Sequence, residues 1–333
     1  MLLSLAWGNP AVAQAAGDDA EADRQAPASV QESDATRIVI LGSGGGPIPR
    51  SDRAEPAILI EAGGENYLFD TGDGVTRQLA HAGVGPNDLR AVFLSHLHLD
   101  HVGGLPYLVG ARWVYRPAGP LPVIGPAGTA RLIEGSGNFL AVPEDLFTPT
   151  LPKGLTVAES VDVREVDAGE AEAIIVYQDD NITVRAIGNS HLALLPPELR
   201  AESGGSFAYR IDAADRSVVY TGDTGPSEAV IRLARGADIL ISEVVDVEAT
   251  LQYLTDQMGL PPARLGAQDR FQREAHLTPQ EVGRIAREAG VGMVVLTHLV
   301  PGLDSERDTR RYSDGVRAEF AGPVVVASDL AEY

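Results

Sequence analysis

The chain has 333 residues, and 44% of them are apolar, which is enough for a substantial core and excludes disorder over most of its length. It carries 47 Asp and Glu against 26 Lys and Arg, a formal net charge of −21, the opposite of the basic footprint expected of a nucleic-acid-binding protein. Cysteine is absent, which excludes thiol nucleophiles, thiolate metal sites and disulfides, so any transition-metal site has to use His, Asp and Glu.

The N-terminal segment has features of an export signal. Residues 2–7 (LLSLAW) are apolar, and the AQA run at 13–15 matches a signal-peptidase site, although the basic n-region is missing. Residues 17–34 contain six acids and one arginine, with little that could pack into a core. We therefore predict a signal peptide over 1–15 and a disordered acidic linker over 16–35, in a periplasmic or secreted protein, with a cytoplasmic location as the alternative. No 18-residue apolar stretch predicts a membrane-spanning helix.

From residue 37 onward, short apolar runs alternate with turn-rich segments. The predicted strands are 37–41, 57–61, 67–70, 91–95, 173–177, 182–187, 207–211, 217–221, 238–243, 294–297 and 323–327. The predicted helices are 74–82, 104–110, 227–235, a helix capped by Thr278 that ends at Ala289, and 309–320. Two strand-rich halves that each finish with helices predict one α/β domain over 36–333, a sandwich with two internal sheets.

A histidine-rich run, SHLHLDHVGG at 95–104, follows a predicted buried strand. His96 and His98 are two residues apart, so on an extended chain their side chains point the same way. Asp100 and His101 follow where the chain turns towards a helix, and they can face the same point from another side. Imidazole and carboxylate are suitable zinc ligands. Four such ligands within six residues are more than one open tetrahedral site uses, so the run indicates two metal ions.

Three more candidate ligands come at the ends of later predicted strands. His191 follows the strand 182–187, Asp223 comes just after the strand 217–221, and His298 follows the strand 294–297. A single histidine at a strand end is more often an ordinary polar group with a hydrogen-bond partner. Together with the histidine-rich run, however, these residues support one another as parts of a single metal site.

In this order, the HxHxDH run, the later His, the Gly-Asp-Thr and the last His resemble the motifs of the metallo-β-lactamase superfamily, from about residue 37 to the C-terminus. The resemblance implies an αββα sandwich of two mixed β-sheets with helices on the outer faces. It implies two Zn²⁺ ions, with Mn²⁺ or Fe²⁺ as alternatives. The implied ligands are His96, His98 and His191 for one ion, Asp100, His101 and His298 for the other, and Asp223 as a bridge. Asp70 in FDTGDG matches the first motif, an acid that orients the site.

Within the superfamily, the sequence is most similar to the tRNase Z branch. The segment LGSGGGPIPRSDRAEPAILI followed by FDTGDG resembles the start of that branch, and AHLT at 275–278 resembles its His-Ser/Thr loop. Glu243 in LISEVV occupies the position of the Glu in the branch's His-Glu-Ala-Thr motif. The resemblance implies that Glu243 and His276 form a pair that passes a proton to the leaving group. Asp100 is expected to orient the nucleophile while it binds metal.

The sequence also departs from that branch. Ser242 replaces the histidine of His-Glu-Ala-Thr, and the PxKxRN loop falls on 49–54, where its Lys and Asn are lost. Only 31 residues separate His191 from Asp223, which leaves no room for the arm that grips tRNA. Residues 141–190 carry ten acids and three bases and cannot replace that arm. The sequence therefore argues against tRNA as the substrate.

We expect a dinuclear zinc hydrolase in which a hydroxide held between the ions attacks a small ester, phosphodiester or sulfate ester. Opening of a β-lactam or lactone is the alternative, followed by tRNA 3′ processing. We expect a small-molecule substrate and no nucleic-acid partner. A flavodiiron-type redox protein is disfavoured because such proteins have Glu at the position of His98 and carry a flavin domain. A non-catalytic metal-binding role is disfavoured because no ligand is lost.

Two further segments are interpreted from their composition. The glycine run at 42–46 follows a strand but lacks a GK[ST] sequence, so we expect it to let the backbone approach the metal centre rather than bind a nucleotide. The stretch 247–273 lies between two site segments and contains Gly, Pro and aromatic residues. It is interpreted either as a lid over the substrate or as a dimer contact, so a homodimer is an alternative to a monomer.

Overall fold

The computed structural model describes residues 35–115, 117–151, 154–202 and 204–333. The predicted signal peptide and all of the predicted linker except Ala35 lie outside these residues. In the described part of the chain, no helix is long and apolar enough to cross a membrane.

The strands of the described residues form two seven-stranded sheets, both mixed. The first sheet contains, in spatial order, β14 (Ala331–Glu332), β1 (Arg37–Gly42), β2 (Ala57–Ala62), β3 (Glu65–Phe69), β4 (Leu89–Phe93), β5 (Leu121–Pro126) and β6 (Val161–Val166). The second contains β13 (Val324–Val326), β12 (Met293–Val300), β11 (Ile239–Val245), β10 (Ser217–Tyr220), β9 (Phe207–Ala213), β8 (Ile182–Gly188) and β7 (Ile174–Gln178). Each sheet has an antiparallel part and a parallel part, and β3–β6 and β10–β13 are the parallel parts.

Helices cover the outer face of each sheet. Their bounds are α1 Val75–His81, α2 Leu99–Val102, α3 Leu105–Val114, α4 Thr129–Phe147, α5 Pro197–Glu202, α6 Glu228–Ala234, α7 Val247–Asp256, α8 Pro262–Ala275, α9 Pro279–Ala289 and α10 Arg310–Glu319. Apolar side chains of α1, α3 and α4 pack on the first sheet, and those of α6, α9 and α10 pack on the second. The αββα sandwich predicted from the sequence is confirmed.

The packing of the core explains why the sequences of these strands are nearly continuous apolar runs. In β1, Ile38 and Ile40 pack between the sheets, whereas Val39 and Leu41 pack under the helices. Both faces of such a strand are buried, so alternation of apolar and polar residues is lost. The ring of Phe69 stacks on Phe93 between the sheets, with ring centroids 4.7 Å apart.

The predicted elements are found with shifts of a few residues at their ends, and several elements were missed. The cap of α9 is as predicted, because Thr278 accepts a hydrogen bond from the backbone N–H of Glu281 and Gly290 ends the helix with a positive φ of 66°. The sequence did not predict β5, β6, β14, α4, α5, α7 or α8. The stretch interpreted as a lid or dimer contact forms most of α7 and α8.

Candidate metal centre

The candidate ligands meet at one edge of the sandwich because strands of both sheets end there. His96 follows β4 by three residues, His191 follows β8, and Asp223 follows β10. His298 is an exception to the sequence prediction, since β12 continues to Val300 and His298 lies within it. The register between β11 and β12 shifts at this point, so that two residues of β12 face Glu243 alone. This bulge turns both Glu243 and His298 towards the site.

The first group of candidate ligands consists of His96, His98 and His191, whose ligand atoms lie within 4.8 Å of one another. His96 and His191 are buried, and His98 is exposed, so the site opens to solvent at His98. Nδ1 of His191 is 2.8 Å from the carbonyl oxygen of Ala275. That carbonyl accepts a hydrogen bond from Nδ1–H and leaves Nε2 free to bind a metal. Nε2 lies 3.0 Å from Nδ1 of His98.

The second group consists of Asp100, His101, Asp223 and His298, all buried and with ligand atoms again within 4.8 Å of one another. Oδ1 of Asp223 lies 3.3 Å from Nε2 of His101 and 3.2 Å from Nε2 of His298. Its other oxygen, Oδ2, lies 3.9 Å from Nε2 of His96 and 3.8 Å from Nε2 of His191. Each oxygen of Asp223 therefore faces a different group, as a bridging carboxylate requires.

Asp70 is completely buried and supports the second group from behind. Its Oδ2 accepts hydrogen bonds from the hydroxyls of Tyr220, at 2.6 Å, and Ser95, at 2.8 Å, and lies 2.8 Å from Nδ1 of His101. Its Oδ1 accepts the backbone N–H of Ser95 at 2.7 Å. The contact with His101 keeps the ring proton on Nδ1 and points Nε2 at the metal site. Asp70 and His298 have positive φ values of 58° and 44°, which is uncommon outside glycine and typical of functional sites.

The glycine run approaches the second group as predicted. The backbone N–H of Gly46 donates to Oδ2 of Asp100 at 3.1 Å. A Cβ on Gly46 would lie 2.3 Å from Cβ of Asp100, and a Cβ on Gly45 would lie 2.8 Å from Nδ1 of His298. Side chains at these two positions would displace candidate ligands, so the loop needs glycine here.

Glu243 and His276, the two residues that the family resemblance pairs, lie in contact. Oε2 of Glu243 lies 2.7 Å from Nδ1 of His276, and its Oε1 accepts the backbone N–H of Thr224 at 2.6 Å. Burial raises the pKa of the Glu243 carboxyl. Burial by itself lowers the pKa of His276, but attraction to Glu243 and then Asp223 raises it above its ordinary value. Both shifts favour the protonated form of the pair. A ligand atom of His276 also lies within 4.8 Å of those of His191 and Asp223, so the geometry permits a ligand role as well.

The residues present fit metal ions. Among the described residues, the buried polar atoms without a hydrogen-bond partner include Nε2 of His96, His101 and His298 and Oδ1 of Asp223. Leaving such an atom unpaired costs roughly 1–3 kcal/mol, and a bound cation removes that cost. The donors are nitrogen and oxygen atoms of the kind that zinc accepts.

The charges of the centre also favour cations. Burial lowers the pKa of His191 to about 3, so its imidazole is neutral and able to bind a metal. Burial acts in the same direction on His298, yet the carboxylates of Asp223 and Asp100 raise its pKa to about 10. A proton on His298 thus supplies positive charge that two buried carboxylates require and that a metal ion would supply instead.

Several residues of the site escaped the sequence analysis. Ser95 and Tyr220 hold Asp70, Gly46 holds Asp100 through its backbone, and the carbonyl of Ala275 holds His191. Ser95 directly precedes the histidine-rich run, and Ala275 directly precedes His276, so proximity to the motifs was the available signal. All seven predicted metal ligands are brought together, as are Glu243, His276 and Asp70.

Comparison with known proteins agrees with this geometry. A family model for the β-lactamase superfamily domain matches residues 65–299. A protein named ribonuclease Z from Mycobacterium bovis is 33% identical over 304 residues, which cover 88% of this chain and 96% of that protein. A ribonuclease Z from Mycolicibacterium paratuberculosis is 35% identical over 299 residues, with the same coverage of both chains.

Two solved structures share the fold. The metallo-β-lactamase fold protein YhfI from Bacillus subtilis has a TM-score of 0.62 and 23% identity, covering 90% of this chain and 100% of that chain. The short form of human tRNase Z has a TM-score of 0.59 and 21% identity, covering 89% of this chain and 98% of that chain. The protein therefore belongs to the metallo-β-lactamase superfamily of metal-dependent hydrolases and is tRNase Z-like within it.

Proposed function

We propose that the protein is a dinuclear zinc hydrolase that cleaves an ester-type bond of a small molecule, with a phosphodiester as the first candidate. The observation that carries the proposal is the position of Asp223, whose two oxygens face two separate groups of candidate ligands. A single carboxylate shared in this way supports two ions close together, an arrangement suited to holding both the attacked centre and the leaving group of a displacement.

The roles of the residues follow from their positions. His96, His98 and His191 would hold one ion, and Asp100, His101 and His298 the other, with Asp223 between them. Zinc in such a site polarises a substrate oxygen and activates water at neutral pH.

His276 and Asp100 would carry out the steps that the protein itself contributes. Glu243 fixes Nδ1 of His276, so His276 can hold a proton next to the reacting bond and deliver it to the leaving oxygen. The backbone N–H of Gly46 fixes Oδ2 of Asp100. Held in this way, Asp100 can orient the attacking group.

The short connection between His191 and Asp223 supports a small substrate. Its described residues consist of a turn, α5, and the antiparallel pair of β9 and β10. No long arm projects from the described part of this connection. Together with the net charge of −21, this supports a substrate that needs no extended basic surface.

A second candidate is cleavage of tRNA at its 3′ end. It is favoured by the curated relatives named ribonuclease Z, which are 33% and 35% identical to this chain over nearly their whole length. These relatives weigh against our expectation that nucleic acid is not a partner. Our preference for a small substrate also depends on the proposal that residues 1–15 direct export, because an exported enzyme would not encounter cellular tRNA.

The experiment compares substrates at one enzyme concentration. Zinc-loaded protein is tested on p-nitrophenyl esters, bis-p-nitrophenyl phosphate, p-nitrophenyl sulfate, a chromogenic cephalosporin, a lactone and a precursor tRNA, each also with Asp223→Ala. We expect turnover of a small ester or phosphodiester that Asp223→Ala abolishes. Site-specific removal of a tRNA 3′ trailer by the wild type alone, without turnover of any small ester, would replace the first candidate with the second.

A further inference from the structure

A cavity of about 350 Å³ lies directly beside the first group of candidate ligands. Its lining residues are His96, Leu97, His98, Ala127, Gly128, Arg131, Leu192, Leu195 and Leu199. Because His96 and His98 form part of its wall, any molecule that fills the cavity also touches the metal centre. The volume lies at the small end of the range of ligand pockets, roughly 300–1,000 Å³.

Most of the remaining wall is leucine. Leu97 lies between the two histidines, Leu192 directly follows His191, and Leu195 and Leu199 come from the next turn and from α5. Leu199 is 53% exposed. An apolar side chain left in water does not contribute the stability that burial would give. Apolar side chains gathered at the mouth of a polar site are typical of ligand-binding surfaces.

Among the described residues that line the cavity, Arg131 is the cation. Arg131 is exposed in the first turn of α4, and within the described residues its side chain has no hydrogen bond and no ion pair. The start of α4 is already neutralised, since Oε1 of Glu165 accepts the backbone N–H groups of Gly128 and Ala130. Arg131 is therefore the group in the cavity that is available to an anion.

We propose that this cavity selects amphiphilic anions: the substrate carries an apolar group next to its scissile bond, which packs on Leu97, Leu195 and Leu199, and a negative charge that faces Arg131. This inference rests on the proposed hydrolase function and adds the chemical class of the substrate. The alkyl or aryl group gains affinity by leaving water, and Arg131 prevents the acidic surface from repelling the charge.

The test measures binding, so it gives a result even if the protein turns over none of the substrates. Two series of compounds are titrated into the zinc-loaded protein by calorimetry. The first is n-alkylphosphonates of one to six carbons, and the second is the same phosphonates with a carboxylate at the far end of the alkyl chain. In the wild type, we expect the affinity of the alkyl series to rise about fourfold per added methylene until the cavity is full. Leu195→Asn and Leu199→Asn should flatten this rise, weakening the hexyl compound by about tenfold. Leu194→Asn is the matched control, since Leu194 lies in the same turn but does not line the cavity.

Arg131 is tested with the carboxylate-ended chains. Arg131→Gln should weaken them while leaving the plain alkyl chains unchanged. Affinity that is independent of chain length, or an equal loss in Leu194→Asn, would overturn the apolar part of the inference. Equal effects of Arg131→Gln on both series would overturn the role of Arg131. If the binding series behaves as expected but no small ester is turned over, the proposed hydrolase function is refuted, whereas the proposed selectivity of the cavity for amphiphilic anions is supported.

Discussion

Replacing Asp70 with Asn tests whether this buried carboxylate orients the metal centre. Its two oxygens receive only donors: Ser95 N–H on Oδ1, and the hydroxyls of Tyr220 and Ser95 with Nδ1 of His101 on Oδ2. An amide has one oxygen and one NH₂ group, so either orientation places donors against donors. Asp70→Asn therefore loses hydrogen bonds to a charged group and leaves a buried donor unpaired. We expect the free energy of unfolding to fall by about 2–4 kcal/mol.

The same substitution should act selectively on the metals. Without the carboxylate, His101 loses the negatively charged partner that holds its proton on Nδ1, even if the amide oxygen still accepts from it, and binding at the Asp100, His101 and His298 group should weaken by about 10–100-fold. Binding by His96, His98 and His191 should change less, since Asp70 reaches His96 through the hydroxyl of Ser95 and not by a direct hydrogen bond. Urea unfolding of metal-free protein measures the stability, and zinc titration against a competing chelator measures the two affinities.

Asp179 offers a matched control at the opposite end of β8 from His191. Its Oδ2 accepts the hydroxyls of Tyr67 and Tyr177, each at 2.8 Å, and its Oδ1 accepts two backbone N–H groups. Asp179→Asn should destabilise the protein without altering either zinc affinity. The reasoning about Asp70 is refuted if Asp70→Asn binds both ions as tightly as the wild type, or if both variants weaken zinc equally.

Four further results are expected. Wild-type protein loaded with zinc and desalted should retain about two ions by elemental analysis, and Asp223→Ala should retain fewer; less than half an ion in the wild type contradicts the dinuclear proposal. His276→Ala should lower kcat by about 10²–10⁴ with both ions retained, whereas loss of an ion would identify it as a ligand. Gly46→Ala should displace Asp100 and weaken zinc binding by about tenfold or more, which the same chelator titration measures. Burial raises the pKa of Asp179, but the hydrogen bonds that its carboxylate accepts lower it by more, so the net shift is downward. The carboxylate therefore stabilises the fold above about pH 4, and this stabilisation is lost as the pH falls further. Asp179→Asn should lack this part of the pH dependence of the free energy of unfolding, measured in urea.

Much of the candidate metal centre could be predicted from the sequence because four of its residues lie close together along the chain. His96 and His98 lie two apart on extended chain, and Asp100 and His101 lie at the start of the short helix that follows. These positions follow from the geometry of a strand that turns into a helix. The αββα arrangement was readable because strands buried on both faces are strongly apolar and are separated by clear turns.

Two of the missed elements, β5 and α4, contain residues that oppose their local structure. β5 includes Pro122, Gly125 and Pro126, and α4 includes two glycines and Pro143. Such residues argue against a strand or a helix when each segment is considered alone. β5 forms because it is paired on both sides, by β4 and β6, and α4 forms because Ile133 and Leu140 pack on the first sheet.

The sequence by itself determined which side chains could bind metal and that strands of a two-sheet sandwich carry them. The tertiary structure decided that Asp223 faces both groups of ligands, and that Asp70 receives hydrogen bonds from Ser95, 25 positions away, and from Tyr220, 150 positions away. It also decided that Arg131 and leucines from three segments share one cavity. The physical reason is that spacing along the chain fixes geometry only within a strand or a helical turn. Contacts between distant segments depend on how the two sheets pack against each other.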